Sequence, residues 1–245
     1  MGLYIETRIR TDPDTLWARS QEPREHQRWD LRFTEIAPLP RTGDDEPDRF
    51  RYATRLGPFL TVAGTGTSAG ERHRADGERV SALRFASPHP LSLLAEGSGY
   101  WRYVPADGGV RFLTGYDYRP RWGRPGRIAD RWVFRPLMGW ATAWSFDRLR
   151  LWCETGTPPE RLRLHWLAET ALRLLAPAAA ALLAPPAAAL AVLAAALLLP
   201  PSARTPAARR CLRTAPPRTA APALLHTLPP AAPLPAAAPA SPRES

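Results

Sequence analysis

Lysine and asparagine are absent from the 245 residues, and cysteine and methionine occur only twice each. Without lysine there is no phosphate loop of the Walker kind, whose ε-ammonium holds the nucleotide phosphates. Cys153 and Cys211 lie 58 positions apart, too few and too far for a disulfide framework or a thiolate metal set. The five histidines, His26, His73, His89, His165 and His226, are scattered, and none stands at metal-ligand spacing to another His, a Cys or an acid. No metal and no cofactor is expected.

Every basic side chain is arginine, and with so much Ala, Gly and Pro this reads as the imprint of GC-rich coding rather than of a polyanionic partner. The net charge of +10 is uneven: residues 1 to 155 hold 24 Arg and 20 Asp plus Glu, whereas residues 156 to 245 hold 9 Arg and 3 Glu. No basic run is interleaved with aromatics, as a strand-stacking surface requires, so no nucleic acid is expected as partner. The aromatics also stop early. The last of 9 Trp, 6 Tyr and 7 Phe is Trp166, and 42 of the 75 residues from 171 to 245 are Ala or Pro. Aromatics supply the large buried areas of a core, which ends the core-building sequence near residue 166. The opening residues carry Glu6 and Arg8 where a signal peptide needs an unbroken apolar stretch, so a cytoplasmic location is expected.

Leu3, Ile5, Thr7 and Ile9 alternate with polar neighbours, the period of a half-buried strand. Asp12-Pro13 opens a short helix through Leu16 and Trp17, and Pro23 opens another through Trp29. Six strands are then predicted at 31–37, 49–56, 59–68, 78–86, 91–104 and 109–119, separated by turn clusters such as Asp76-Gly77 and Asp107-Gly108-Gly109. Connections this short force antiparallel neighbours, so the six form a meander that the first strand must join. A long helix follows to about Glu154, with a kink predicted at Trp132 to Arg135 because Pro136 removes a backbone hydrogen bond.

The order of strand, two short helices, six strands and one long helix resembles the START-like superfamily, also called SRPBCC, with its polyketide cyclase/dehydrase-like and lipid-transfer proteins. The residues carrying the resemblance are Asp12-Pro13 to Trp17, the segment from Pro23 to Trp29 leading into Leu31-Arg32-Phe33-Thr34-Glu35, and Phe134-Arg135-Pro136-Leu137-Met138-Gly139-Trp140. It implies an α+β helix-grip fold: a seven-stranded, curved antiparallel sheet wrapped around a long C-terminal helix. To this the composition adds an Ala/Pro-rich helical arm and a disordered tail. The expected units are a ligand-binding domain at 1–155, an Ala/Leu-rich helical appendage at 156–199 and a Pro/Ala-rich tail at 200–245.

The resemblance further implies a cavity for an apolar ligand between sheet and helix. The candidates to line it are Phe33, Tyr52, Trp101, Tyr103, Phe112, Tyr116 and Tyr118 from strands, with Trp132, Arg135 and Trp140 from the helix. Each aromatic has an alternative as plain core. Arg135, on an otherwise apolar stripe, must pair with an acid, stack on a ring, meet a ligand oxyanion or extend to the helix edge. Gly64-Thr65-Gly66-Thr67-Ser68-Ala69-Gly70 misses the dinucleotide spacing and fits a sharp bend in a strand. Two further functions stay open. A cyclase or dehydratase would need His26, Glu35, Glu96 or Asp117 in the cavity, although Glu96 and Asp117 fall on strand faces opposite the aromatic ones.

A membrane-associated protein would use residues 171–203, where 30 positions between Arg173 and Arg204 carry no charge. Pro185-Pro186 divides that stretch into halves too short to cross a ~30 Å core, which favours a surface-lying or re-entrant helical hairpin. In the soluble alternative a helix from about Pro159 to Leu175 packs on the domain through Leu162, Trp166, Leu172 and Leu175.

Overall fold

The computed structural model describes residues 2–41, 47–56, 60–217, 221–222 and 224–225. The chain opens with β1 (Leu3–Ile9), α1 (Pro13–Gln21) and α2 (Pro23–Trp29). Six strands follow: β2 (Glu35–Pro38), β3 (Arg49–Leu56), β4 (Leu60–His73), β5 (Arg79–Ala86), β6 (Leu94–Ala106) and β7 (Gly109–Pro120). Asp12 caps α1 by accepting the Thr15 amide at 2.7 Å, and prolines begin both short helices as the sequence predicts.

The sheet has seven strands in the order β1-β7-β6-β5-β4-β3-β2, all pairs antiparallel. It is the expected meander, and β1 joins it by pairing Leu3 with Tyr116 and Ile9 with Val110. The glycines of β4 serve ring packing more than bending. A Cβ on Gly66 would stand 2.2 Å from Cζ of Phe50, and one on Gly64 2.3 Å from Oη of Tyr52, so these two rings lie flat over the bare backbone. The irregularity expected of this stretch does occur beyond them, as a bulge between Ser68 and Gly70, where Gly70 has φ +123°.

The long helix is interrupted where Pro136 predicts it. A first piece, α3 (Gly123–Ala129), runs into a π-helical turn at Asp130–Phe134, where the Arg135 amide donates to Asp130 O, and then into α4 (Arg135–Thr155). Gly156, at φ +70°, stops it with its amide on Trp152 O. The C-terminal half of α4 is buried on all sides: Phe146 and Leu149 face the sheet, and Phe146 stacks on Phe112 at 4.5 Å. Trp29, Phe112 and Phe146 are fully enclosed, each contributing ~1.5–3 kcal/mol by burial.

The opposite face of α4 is polar and is covered by chain from beyond residue 155. Arg148 donates to Pro159 O at 2.8 Å, at the start of α5 (Pro159–Leu183). Asp147 accepts from the Ala207 amide and Arg210 Nη1, both at 2.8 Å, and from Arg150 Nε at 2.7 Å. Cys211 donates Sγ to Ala143 O at 3.2 Å, and Leu212 exchanges two backbone bonds of 2.9 Å with Glu6 on the free side of β1. Residues 205–212 therefore pack as a strap on the domain, where the proline density of the sequence predicts extended chain past about Leu199. The reason is the buried carboxylate of Asp147 on α4, which the Ala207 amide and Arg210 satisfy and which composition does not show. Expectations for residues 226–245 lie outside the described residues.

Between domain and strap, α5 and α6 (Pro186–Leu198) form an antiparallel hairpin. Arg173 closes its base by donating to the carbonyls of Ala196 at 2.7 Å, Leu199 at 2.9 Å and Pro200 at 2.9 Å, while Glu169 accepts the Ser202 amide at 3.1 Å. Leu162 and Trp166 pack on the domain as expected, but Leu172 and Leu175 remain two-thirds exposed because the helix has by then left it.

Candidate functional site

The sheet is wider than α4, and the helix plugs only one end of its hollow. At the end where α4 begins, a cavity of about 680 Å³ remains, walled by Phe50, Tyr52, Leu83 and Phe85 from the strands and by Val133, Phe134, Leu137 and Trp140 from the helical side. That volume lies within the ~300–1,000 Å³ range of small-molecule pockets.

Five of the ten expected residues come together here: Phe33, Tyr52, Trp101, Tyr116 and Trp140. The other five stand elsewhere. Tyr103 and Phe112 share the concave face but lie at the plugged end; Tyr103 Oη meets Ser20 Oγ at 2.7 Å and Gln21 Nε2 at 2.8 Å, deep in the core. Tyr118 turns its hydroxyl to Asp130 and its ring to Phe134. Trp132 is 72% exposed. Arg135 pairs with Asp130 at 3.2 Å and lies 5.3 Å over the Tyr118 ring, which realises the acid-pairing and ring-stacking alternatives together.

A buried polar cluster faces this apolar chamber, whose lining also includes the exposed Arg55. His26 and Asp30 occupy successive turns at the end of α2, with Nε2 to Oδ2 at 3.0 Å. Arg32 lays a fork on the same carboxylate, Nε to Oδ1 at 2.9 Å and Nη2 to Oδ2 at 2.6 Å, and its guanidinium carbon sits 5.2 Å from the Phe33 ring and 5.7 Å from the Tyr116 ring. His26 is packed among Trp29, Phe33 and Trp101. Both His26 and Arg32 line the cavity, and Asp30 is buried behind them.

Burial works against the Asp30 charge, but Arg32 and His26 outweigh it and hold this carboxyl well below the usual range. Burial would lower Arg32 too, and Asp30 instead raises it. Burial pushes His26 down despite Asp30, so the imidazole is neutral at neutral pH. Asp30 and Arg32 cancel, and the corner presents no net charge. Burial also raises the Tyr52 phenol, whose hydroxyl reaches Ala86 O at 3.4 Å.

Of the acid/base candidates, His26 alone faces the cavity. Glu35 is exposed beside Arg51 at 3.3 Å and Glu96 beside Arg119 at 3.0 Å, while Asp117 is exposed on the outer face. Arg32 and Leu83 are cavity residues that the aromatic strand faces and the helix stripe do not reveal. For Arg32 a signal exists, since His26, Asp30 and Arg32 share four-residue and two-residue spacings across a helix end. For Leu83 none does. Among the described residues no cluster of three metal-ligating side chains occurs.

No family model matches the chain. A Bacillus subtilis (strain 168) protein named uncharacterized membrane protein YndG is 48% identical over 160 residues, 65% of this chain and 59% of that one. The chain thus spans about 59% of the length of this curated relative. Among solved structures, a STAR-related lipid transfer protein of Xanthomonas axonopodis aligns at 18% identity over 59% of this chain and 81% of that one, with a TM-score of 0.44. The ZhuI aromatase/cyclase from Streptomyces sp. R1128 aligns at 12% over 61% and 96%, TM-score 0.42. By length and composition α5 is long and apolar enough to cross a membrane. The strand order, the long helix seated in the hollow of the sheet and the chamber left beside it give this chain a START-like, helix-grip fold.

Proposed function

We propose that this chain binds a neutral, largely apolar small molecule between the sheet and the first turns of α4, with the molecule's polar end against His26 and Arg32. The observation that carries this is the pairing of a 680 Å³ apolar chamber with a charge-balanced polar corner. A carboxylate or phosphate end would have to compete with Asp30 for a guanidinium already forked, whereas a carbonyl or hydroxyl needs only one donor or acceptor. Lipid-like and polyketide-like molecules with such an end fit.

The α5–α6 hairpin is proposed as the membrane contact, and its reach favours insertion over spanning. The charge-free part of α5 from Leu174 to Leu183 extends ~15 Å at 1.5 Å per residue, about half of a ~30 Å hydrocarbon layer. Turning at Pro185-Pro186, it keeps both ends of the hairpin on one side, as the flanking arginines and the domain require.

A second function, proton transfer of the cyclase or dehydratase kind, draws support from His26. With Nε2–H held by Asp30, Nδ1 is the lone-pair nitrogen of a neutral imidazole at the chamber wall.

Titration of the full chain with Nile red, a neutral apolar fluorophore, tests the binding proposal. Saturable emission that falls at least tenfold in affinity on Leu83→Trp supports it; equal emission from wild type and variant overturns it. His26→Gln, which keeps a polar partner for the ligand, separates carriage from chemistry: turnover by the wild type that the variant loses with affinity intact marks an enzyme, and binding with no turnover in either protein marks a carrier.

A further inference from the structure

The rim of the chamber carries an exposed apolar collar drawn from one continuous stretch, α3 through the first turn of α4. Trp122, Ile128, Trp132, Val133 and Leu137 are 48, 63, 72, 63 and 56% exposed. Trp122, Val133 and Leu137 also line the cavity, so the collar is its doorway rather than a separate patch. Exposed apolar groups gathered at a pocket mouth mark an interaction surface. Trp122 has φ +66°, alone among the described non-glycine residues, and its indole N–H on Pro90 O at 3.0 Å holds the ring beside the opening.

The charges in this stretch select the partner. Arg124, Arg127 and Arg131 are exposed among the apolar side chains, and Arg131 lies 5.5 Å from the Trp132 ring. The stretch's single acid, Asp130, is buried and occupied by Tyr118 and Arg135. Tryptophan and arginine on an apolar face, with no exposed acid, complement a bilayer surface bearing anionic headgroups. The direction of the hairpin agrees. Pro159 of α5 meets Arg148, and Trp166 meets Trp144 at 5.5 Å and Trp140 at 6.4 Å, so α5 runs antiparallel to α4 and its apolar end leaves past the first turn of α4, where the collar is.

We propose that the collar, residues 122–137, docks on the same anionic bilayer that receives the hairpin, so that the chamber opens onto the membrane and takes its ligand from it. The ligand is then a bilayer-dissolved amphiphile. This rests on the binding proposal above, and the test separates the two. Full-length chain carrying Trp132→Cys, labelled with a nitrobenzoxadiazole fluorophore, is mixed with phosphatidylcholine vesicles with and without phosphatidylglycerol.

Docking predicts a blue shift and severalfold brightening only with phosphatidylglycerol, lost on Arg124→Glu/Arg127→Glu/Arg131→Glu while the protein still sediments with vesicles through its hairpin. It also predicts that Ile128→Ser/Trp132→Ser slows uptake of Nile red from vesicles at least tenfold and leaves binding of Nile red from solution unchanged. A label that stays water-like on both vesicles overturns docking. Nile red that binds the wild type by neither route overturns the binding proposal, and the label shift still reports docking by itself.

Discussion

The Arg32 guanidinium grips the Asp30 carboxylate through two parallel bonds, 2.9 and 2.6 Å long, with His26 on the same oxygen as the shorter one. The pair is enclosed, so each partner depends on the other for its charge. Asp30→Asn leaves a buried cation without a counter-ion and is expected to cost ~3–5 kcal/mol in urea unfolding. Asp30→Asn with Arg32→Met removes both charges and is expected to recover much of that loss. Equal losses in the single and double variants would mean that the pair contributes through shape alone.

The same corner sets an acid limb of stability. Burial holds folded His26 below its ordinary value, so as pH falls through ~6.5 the unfolded chain takes up a proton that the folded chain refuses. Stability therefore declines from pH 7 towards pH 5, and His26→Phe is expected to flatten that decline in thermal melts. Asp30 is depressed in the fold, so its contribution is present above the unfolded carboxyl value and lost at lower pH. A second decline below about pH 4 should survive His26→Phe and become shallower in the Asp30→Asn/Arg32→Met variant, the remainder coming from carboxyls such as Glu6 and Glu160 that arginines also hold low.

Two positions on the concave face are predicted to answer differently. Phe112 is enclosed and stacked on Phe146, so Phe112→Ala is expected to destabilise by ~3–5 kcal/mol. Leu83 faces the chamber, and Leu83→Trp is expected to abolish ligand uptake while shifting the melting temperature by only a few degrees. If Leu83→Trp unfolds the protein, the chamber has no room for a guest.

That contrast shows what alternation along a strand can and cannot convey. Phe112, Thr114, Tyr116 and Tyr118 alternate, and their common face is legible in the sequence. How far α4 fills the hollow along that face is a tertiary property, so Phe112 becomes core while Tyr116 borders open space. Trp132 fails for another reason. A straight helix places it on one stripe with Phe146, but the π-turn at Asp130–Phe134 inserts an extra residue per turn and rotates everything before it by ~100°. Pro136 announces the break without giving its size.

The strap yields a chemical prediction. Burial pushes the Cys211 thiol up to about 12, and burial raises Cys153 as well. Neither thiol should react with a disulfide reagent at pH 8 in the native chain, and both should react in denaturant. Truncation after Leu199 strips Asp147 of Ala207 and Arg210, and it should lower the melting temperature by several degrees. Unchanged melting would reduce the strap to a surface appendage.

Native mass spectrometry of the full-length chain, isolated from its own cells in mild detergent, bears most directly on the central claim. The expected spectrum shows a bound neutral amphiphile at one copy per chain that is missing from the Leu83→Trp variant. A wild-type spectrum at the bare chain mass, identical to that of the variant, would contradict it.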